Sequence, residues 1–542
     1  MNKNCKQCGD KFEITDSDLK FYDKVSTVIE GKKYPLPTPT LCPDCRQQRR
    51  LTFRNERHLH KRKCDLCGKQ MLSIYGNKVL CPIYCVECWW SDKWDPIKYG
   101  RDFDFNRPFF DQFKELLSTV PKMGLLQLNN ENCEYNTLIS FSKNTYLSPG
   151  SYFMEDSMYC RKSQNCKDCL DVNALDDCEL MKSSTNCNKC YNCHDLINCR
   201  NCSNCEYMAD STGCKDCFMC SAITKKQYCV KNKQYSKSEY EELVSEKKEK
   251  LHEDLLKEFF EFNKTIPKRY QNQLNCENSS GDYIQNCKNS IECYDCFNDE
   301  DCKYMIESVG VKDSMDNSMH DKEVELCYEV ASGGDKDTLV KFSFCPSNGY
   351  GNEYTYSCFY PQNCFGCDSI NSKKKYCILN KQYSEKEYNK LKGKIIEHMM
   401  KTGEYGEFFP PSLSLHPYNE TTANDYFPMK EKGPREYEKS EIKVPKRIED
   451  AKEDIVDKIL SCEKCGKNYK ILQLEFNLCK RMKTPLSTKC PDCRMHDLSE
   501  LKNPRKLWGR KCDNCGDGIE TTYSSDKPEK VYCEECYLKM VY

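Results

Sequence analysis

The sequence predicts a multidomain fold: small α+β modules at both ends and a Cys-rich, β-solenoid-like middle in two copies, each closed by a helix. Three observations predict it. Cys-x-x-Cys pairs recur at matched spacings at the two ends. A run of cysteines separated by multiples of three fills much of the middle. Two copies of a Cys-to-helix text punctuate that middle.

The terminal pairs are Cys5/Cys8, Cys42/Cys45, Cys64/Cys67 and Cys85/Cys88 at one end, and Cys462/Cys465, Cys490/Cys493, Cys512/Cys515 and Cys533/Cys536 at the other. From the second pair onward the spacings coincide, with 19 residues from Cys45 to Cys64 and from Cys493 to Cys512. The next step, Cys64 to Cys85 and Cys512 to Cys533, is 21 residues in both. RNERHLHKRKCDLCG stands beside KNPRKLWGRKCDNCG, so one two-site module is used twice. Two residues between thiolates let both sulfurs reach one tetrahedral ion, and two pairs close a four-cysteine structural site. The expectation is about four structural Zn²⁺ per chain, in zinc-stabilised α+β modules. Gly9, Gly68, Gly466 and Gly516 follow the first pair of each site, where a tight turn suits glycine. Cys45 and Cys493 instead run into Arg-rich text, as at the opening of a helix. Cys81 and Cys479 fall outside the pairs and read as packing residues.

CKQCGDKFEITDSDLKFYDK followed by CPDCRQQRR resembles the zinc-ribbon (treble-clef) domain of many bacterial proteins, with its CxxCG, FY and CPxCR landmarks. SDKWDPIKYGRDFDFNRPFF, NKQYS, YNETTANDYFP and SDKPEKVYCEECY extend the likeness. Nearly the whole chain resembles large Cys-rich multi-zinc-ribbon proteins of candidate-phyla bacteria. The resemblance implies architecture and metal ligands and assigns no activity.

The middle cysteines follow another rule. Fourteen lie between 160 and 229, and every gap is a multiple of three. Nine of them follow Asn or Asp, residues that tolerate the left-handed turn conformation, so each triplet reads as a corner with a thiol beside it. CFMCSAITKKQYCVKNKQYSKSEY (217–240) is matched by CFGCDSINSKKKYCILNKQYSEKEY (364–388). Both end in Ser-x-x-Glu, the capping-box signature, predicting helices near 237–262 and 385–401. Two readings stay open for these thiols. They stack as small buried residues along a solenoid, or they form a metal cluster or store.

The expected order is a tandem zinc-ribbon module (1–100), a helical connector (101–132) and a repeat body with its helix (133–262). A second such body (263–401), an extended linker (402–461) and the second module (462–542) follow. RPFFDQFKELLSTVP (107–121) has the spacing of a short amphipathic helix.

The chain carries 44 cysteines and a net charge of −1. It shows neither a signal-peptide core near its start nor an apolar run of spanning length, so a reducing cytoplasm without membrane association is expected. Charge is concentrated locally. Residues 46–63 carry +7 (eight minus one), and 494–511 carry +4 (six minus two). A helix from Cys45 would set Arg46, Arg50, Arg54, Arg57 and Lys61 in one stripe, flanked by Arg49, Arg62, Lys63, His58 and His60. The second copy keeps Arg494, Lys502, Arg505, Lys506, Arg510 and Lys511, although Pro504 should break its helix.

Such a stripe suits phosphates, and Trp89, Trp90, Trp94 and Trp508 suit stacking on unpaired bases. RNA or single-stranded nucleic acid, or a ribosome-like assembly, is therefore the expected partner. The alternatives are a solvated helix face with tryptophans in small cores, and a protein-interaction scaffold. No P-loop, dinucleotide turn or His-Glu-x-x-His is present, and closed four-cysteine sites favour structure over catalysis.

Overall fold

The structure is a computed structural model that describes residues 1–133, 135–155, 157–160, 205–429 and 439–542. The chain gathers into two compact units, each discontinuous in sequence. Residues 1–125 join 271–429, and 126–270 join 430–542. One change of unit falls at 270/271, near the body boundary expected at 263, and another at 429/430, inside the expected linker 402–461. Among the described residues, no helix is long and apolar enough to cross a membrane.

In the first unit, two short hairpins, Asn2–Asn4 with Lys11–Glu13 and Thr27–Ile29 with Lys32–Tyr34, flank the helix Asp16–Val25. That helix starts on a capping box from Thr15 and Asp18. The helix Pro43–Leu51 follows, with Cys42 at its N-cap and Pro43 in its first turn, where a missing N–H costs nothing. It ends at Leu51, short of the stripe expected to run to Lys61. Asn55 accounts for the stop: its Oδ1 accepts the N–H groups of Arg57 and His58, and its Nδ2 donates to the carbonyls of His58 and Ile74. This side-chain turn competes with helical bonding. The chain then enters the strand His60–Lys63, paired with Gln70–Ser73.

Residues 273–378 form parallel rungs in which each residue pairs about one repeat later. Lys288 pairs with Glu300, and Glu300 with Lys312, a step of twelve residues; Tyr328 with Lys341 is a step of thirteen. A left-handed residue stands immediately before most of the buried thiols, as at Asn286, Asp295, Asp301 and Asn363, whereas Cys345 is itself left-handed. Asx residues take this conformation at low cost, whereas Leu326 and Tyr376 take it because the repeat imposes it. The thiols then donate to carbonyls inside the stack. Cys287 Sγ reaches the carbonyl oxygens of Gln285 (3.4 Å) and Cys296 (3.5 Å). Ser290 makes the equivalent pair of bonds to Lys288 and Asp299. Cys and Ser interchange here because both are small and carry a donor. Among the described cysteines from 133 to 377, all but Cys276 are buried.

The last rung is closed by an antiparallel turn, Cys377 with Gln382, and then by the helix Glu385–Thr402, capped by Ser384 and Glu387. Within the expected linker, residues 403–429 are not extended. Tyr405, Phe408, Phe409 and Leu413 are buried, and the short helix Thr422–Tyr426 packs Ala423 with Leu51. Tyr405, Phe408 and Phe409 are therefore core residues. The connector helix spans Phe109–Leu117 and buries Phe109, Phe113, Leu116 and Leu117.

The second unit repeats these parts. Parallel rungs at a twelve-residue step join Gln127 to Ile139, Ile139 to Ser151 and Cys217 to Cys229. An antiparallel turn, Cys229 with Gln234, precedes a helix capped by Ser236 and Glu239. The single helix expected over 237–262 is two, Lys237–Lys248 and His252–Thr265. Of the fourteen cysteines at 160–229, Cys160, Cys205, Cys214, Cys217, Cys220 and Cys229 are described; the others lie outside the described residues. The module at 460–542 carries helices Gln473–Met482, Pro491–Glu500 and Glu534–Val541.

Candidate metal centres and the buried basic helix

Each terminal module holds two four-cysteine groups: Cys5, Cys8, Cys42 and Cys45; Cys64, Cys67, Cys85 and Cys88; Cys462, Cys465, Cys490 and Cys493; and Cys512, Cys515, Cys533 and Cys536. Within each group the sulfurs lie within 4.8 Å of one another. Sulfurs from opposite pairs approach closely, as in Cys8–Cys42 at 3.7 Å, Cys67–Cys85 at 3.9 Å, Cys465–Cys490 at 3.8 Å and Cys515–Cys533 at 3.7 Å. A tetrahedral ion with metal–sulfur bonds of about 2.3 Å has edges of about 3.8 Å, so these groups fit one.

Local sequence builds every group the same way. The first pair sits on a turn closed by a bond from the glycine N–H to the first cysteine's carbonyl, as from Gly9 to Cys5 and from Gly466 to Cys462. All four glycines are left-handed, with φ between +75° and +84°. The second pair occupies a helix start, with Cys42, Cys85, Cys490 and Cys533 as N-caps. Burial pushes the Cys5 thiol up, but the N–H groups of Cys8, Cys42 and Gln7 aimed at it outweigh this and hold it at about 6. The same balance holds Cys64 and Cys462 at about 7 and Cys512 at about 6. Cys45 and Cys493 go the other way, raised first by burial and then by neighbouring thiols. Four thiols in this space ionise together only around a cation. Cys81 and Cys479 are buried apart from the groups.

The basic stretch has a partner, and it lies in the same chain. Arg46 and Arg50 are 1% exposed, Arg54 5% and Arg49 8%. Arg46 Nε donates to Asp316 Oδ2 at 2.9 Å, and its Nη1 donates to the Leu41 carbonyl at 2.8 Å. Arg49 bridges Glu407 (2.6 Å) and Glu329 (3.0 Å), and Arg50 reaches Glu329 at 3.1 Å. Arg54 donates to Glu56 and Ser332. Arg57, at the rim, donates to Asp425 at 2.7 Å. These arginines therefore do not form the solvent-facing stripe that phosphate binding requires. The reason is a single corner of successive rungs: Tyr304, Asp316, Glu329, Phe342, Tyr354 and Gly366 stand twelve or thirteen residues apart, all left-handed. The Arg46 guanidinium lies 5.4 Å over the Tyr304 ring, and Phe109 seats against Gly366, where a Cβ would meet its ring at 2.8 Å.

The second unit carries a reduced version. Arg494, at the position of Arg46, donates to Glu475 (2.6 Å) and lies 4.5 Å over the Tyr159 ring. Asp497 and Leu498 stand where the first copy has Arg49 and Arg50. Arg510 donates to the carbonyls of Ser524 and Glu529, while Lys506 lies over the Trp508 ring at 6.0 Å. Arg62 is bonded to Asp65, and Arg505 is half-buried. Lys61, Lys63, Lys506 and Lys511 are exposed. Trp89 is fully buried and Trp94 nearly so, packed with Trp90 and Phe359, so these three form a small core.

The acidic partners Asp316, Glu329 and Glu407 were missed from sequence. The signal that could have found two of them is the repeat phase, which puts Asp316 and Glu329 at one corner. No protein-family model, curated protein or solved structure matches this chain.

Proposed function

We propose that this protein is a non-catalytic interaction scaffold. In this reading four structural Zn²⁺ ions, in treble-clef-type modules at both ends, stabilise two β-solenoid bodies. The observation that carries it is the fate of the basic helix: Arg46, Arg49 and Arg50 neutralise Asp316, Glu329 and Glu407 within the chain. A cationic helix that clamps a module onto a body serves assembly of the protein itself. The four-cysteine groups support structural metal, since they leave no coordination position open for substrate. Zinc is favoured over other ions by four thiolates in tetrahedral array, with a reducing cytoplasm as the matching compartment. The bodies, with their repeating corners, supply the partner surface, and that partner is a protein.

Nucleic-acid binding retains only Lys61, Lys63, Lys506 and Lys511 as exposed cations from the two basic stretches. Reversing these four to Glu leaves the ion-pair network and the cysteines untouched. Gel-shift titration with single-stranded RNA at two salt concentrations decides between the readings. The scaffold reading expects weak binding that is the same in both proteins. Tight, salt-sensitive wild-type binding that the reversal abolishes restores RNA as the partner.

A further inference from the structure

The four cysteine groups differ in how far a reagent can reach into them. Each has one exposed cysteine: Cys8, Cys67, Cys465 or Cys515. In the first three groups that sulfur makes its close contact across the site with a buried cysteine, since Cys42 is 7% exposed, Cys85 8% and Cys490 1%. In the fourth group the partner is Cys533, which is only half-buried, at 3.7 Å. Cys493 of the third group is half-buried too, but the close contact of Cys465 is with Cys490. Only the fourth group sets two accessible sulfurs against each other.

The charge beside this group points the same way. The modules are copies, so Cys515 corresponds to Cys67, and the residue two places on is Lys69 in one and Asp517 in the other. The Cys515 thiol donates to Asp517 Oδ2 at 3.2 Å. A metal holds that sulfur as thiolate, which puts two negative charges in contact, and their repulsion works against the metal–sulfur bond. Asp10 stands at the same place in the first group, but there the facing sulfur, Cys42, is buried.

The fourth group also lies on a seam. Cys533 directly follows the strand Val531–Tyr532, which pairs in parallel with Lys268–Arg269. The Lys268 N–H donates to the Lys530 carbonyl, the Tyr270 N–H to the Tyr532 carbonyl, and Arg269 Nε to Glu534 at 2.6 Å. Whatever loosens this group acts where the last module joins the body before it.

We propose, on the structural-zinc reading given above, that Cys515 and Cys533 form a reversible oxidation site through which a small peroxide releases the fourth ion and frees this seam. The Cys515 thiolate attacks one peroxide oxygen; the O–O bond breaks, leaving a sulfenic acid and hydroxide. The Cys533 thiolate then attacks the Cys515 sulfur; the S–S bond forms and a second hydroxide leaves. Two sulfurs have lost two electrons, the peroxide has become two hydroxides that take up protons as water, and Zn²⁺ departs from the two thiolates that remain. Two equivalents of a thiol reduce the disulfide and restore the site.

The test treats untagged full-length protein with limiting hydrogen peroxide. Released zinc is followed with a metallochromic dye, and disulfides are mapped by alkylation and mass spectrometry. One equivalent should leave well before the others, together with a Cys515–Cys533 disulfide and faster hydrogen exchange at Lys268 and Tyr270. Dithiothreitol with Zn²⁺ should reverse all three. Asp517→Lys, which keeps all four ligands, should slow that first release about tenfold, the effect of a unit charge at contact distance in water. Fewer than four equivalents before peroxide is added would sink the zinc reading and this proposal with it. Four equivalents present but lost at one rate, a first disulfide elsewhere, unchanged exchange at the seam, or an unchanged rate in Asp517→Lys would overturn this proposal alone.

Discussion

Replacing Arg46 with Met tests whether the basic helix is a clamp. The substitution keeps much of the side-chain bulk and removes the guanidinium that contacts Asp316, which is itself 0% exposed. Removing one partner of a buried pair leaves an uncompensated charge and costs about 3–5 kcal/mol. The remaining Arg50–Asp316 approach is long, at 3.4 Å, and relieves little of this. With a urea dependence of about 3 kcal/mol per M for a body of a few hundred residues, the midpoint should fall by about 1–1.7 M. Tryptophan fluorescence suits the measurement, because Trp89, Trp90 and Trp94 belong to this unit and only Trp508 to the other. Adding Asp316→Leu to Arg46→Met should recover part of the loss, since the stranded carboxylate is gone. An unchanged midpoint for Arg46→Met, or a double variant no better than the single, would refute the buried clamp. Reversing Arg50, Arg54 and Arg57 to Glu should abolish folding of the unit, because it sets new carboxylates against Glu329, Glu56 and Asp425.

Chelation at neutral pH should release about four equivalents of divalent metal from the cysteine groups and loosen the helices they cap, read by metal analysis and circular dichroism; Cys45→Ala should lower the content by one. Glu353 is fully buried; burial raises its carboxyl, but Lys341 and Lys392 outweigh this and hold it at about 2. The unfolded chain takes up that proton below about 4.5, so the stabilisation is present above 4.5 and lost as pH falls toward 2. It amounts to about 3 kcal/mol, and Glu353→Gln should flatten that part of the acid-unfolding curve. Gly366→Ala should cost about 1–3 kcal/mol through the Phe109 ring and the left-handed backbone, measured as a lower melting temperature. Ser384→Ala removes the capping oxygen for the Glu387 N–H and should cost about 1 kcal/mol.

Features written in short sequence windows were legible. The cysteine groups follow from pairs two residues apart and a glycine at the turn, and the structure gathers the sulfurs accordingly. The capped helices at Ser236 and Ser384 follow from four-residue signatures. The Asx-before-Cys pattern carried the left-handed corners, because conformation there is local. What the sequence concealed was partnership over distance. Arg46 and Asp316 are 270 residues apart, and nothing near either names the other. The spacing of basic residues implied a helix through Lys61, yet one side chain, Asn55, redirects the backbone before Arg57. Segment 403–429 read as extended because its prolines and charges set its composition. Its burial rests on a few aromatic residues finding a surface made elsewhere.

The interleaving of the two units has a consequence for synthesis. At about 5–20 residues per second, the 270 residues between Arg46 and Asp316 take about 14–54 s to emerge. Local helix and metal-site formation is far faster than that. A nascent first module therefore completes its own short-range structure and then waits, with its guanidinium groups in water and near the ribosomal surface, until its acidic counterpart is made. The same residues 126–270 that separate the partners begin a unit whose second segment, 430–542, emerges only after the first unit's second segment, 271–429. Each unit thus lacks its second segment until 271–429 or 430–542 has emerged.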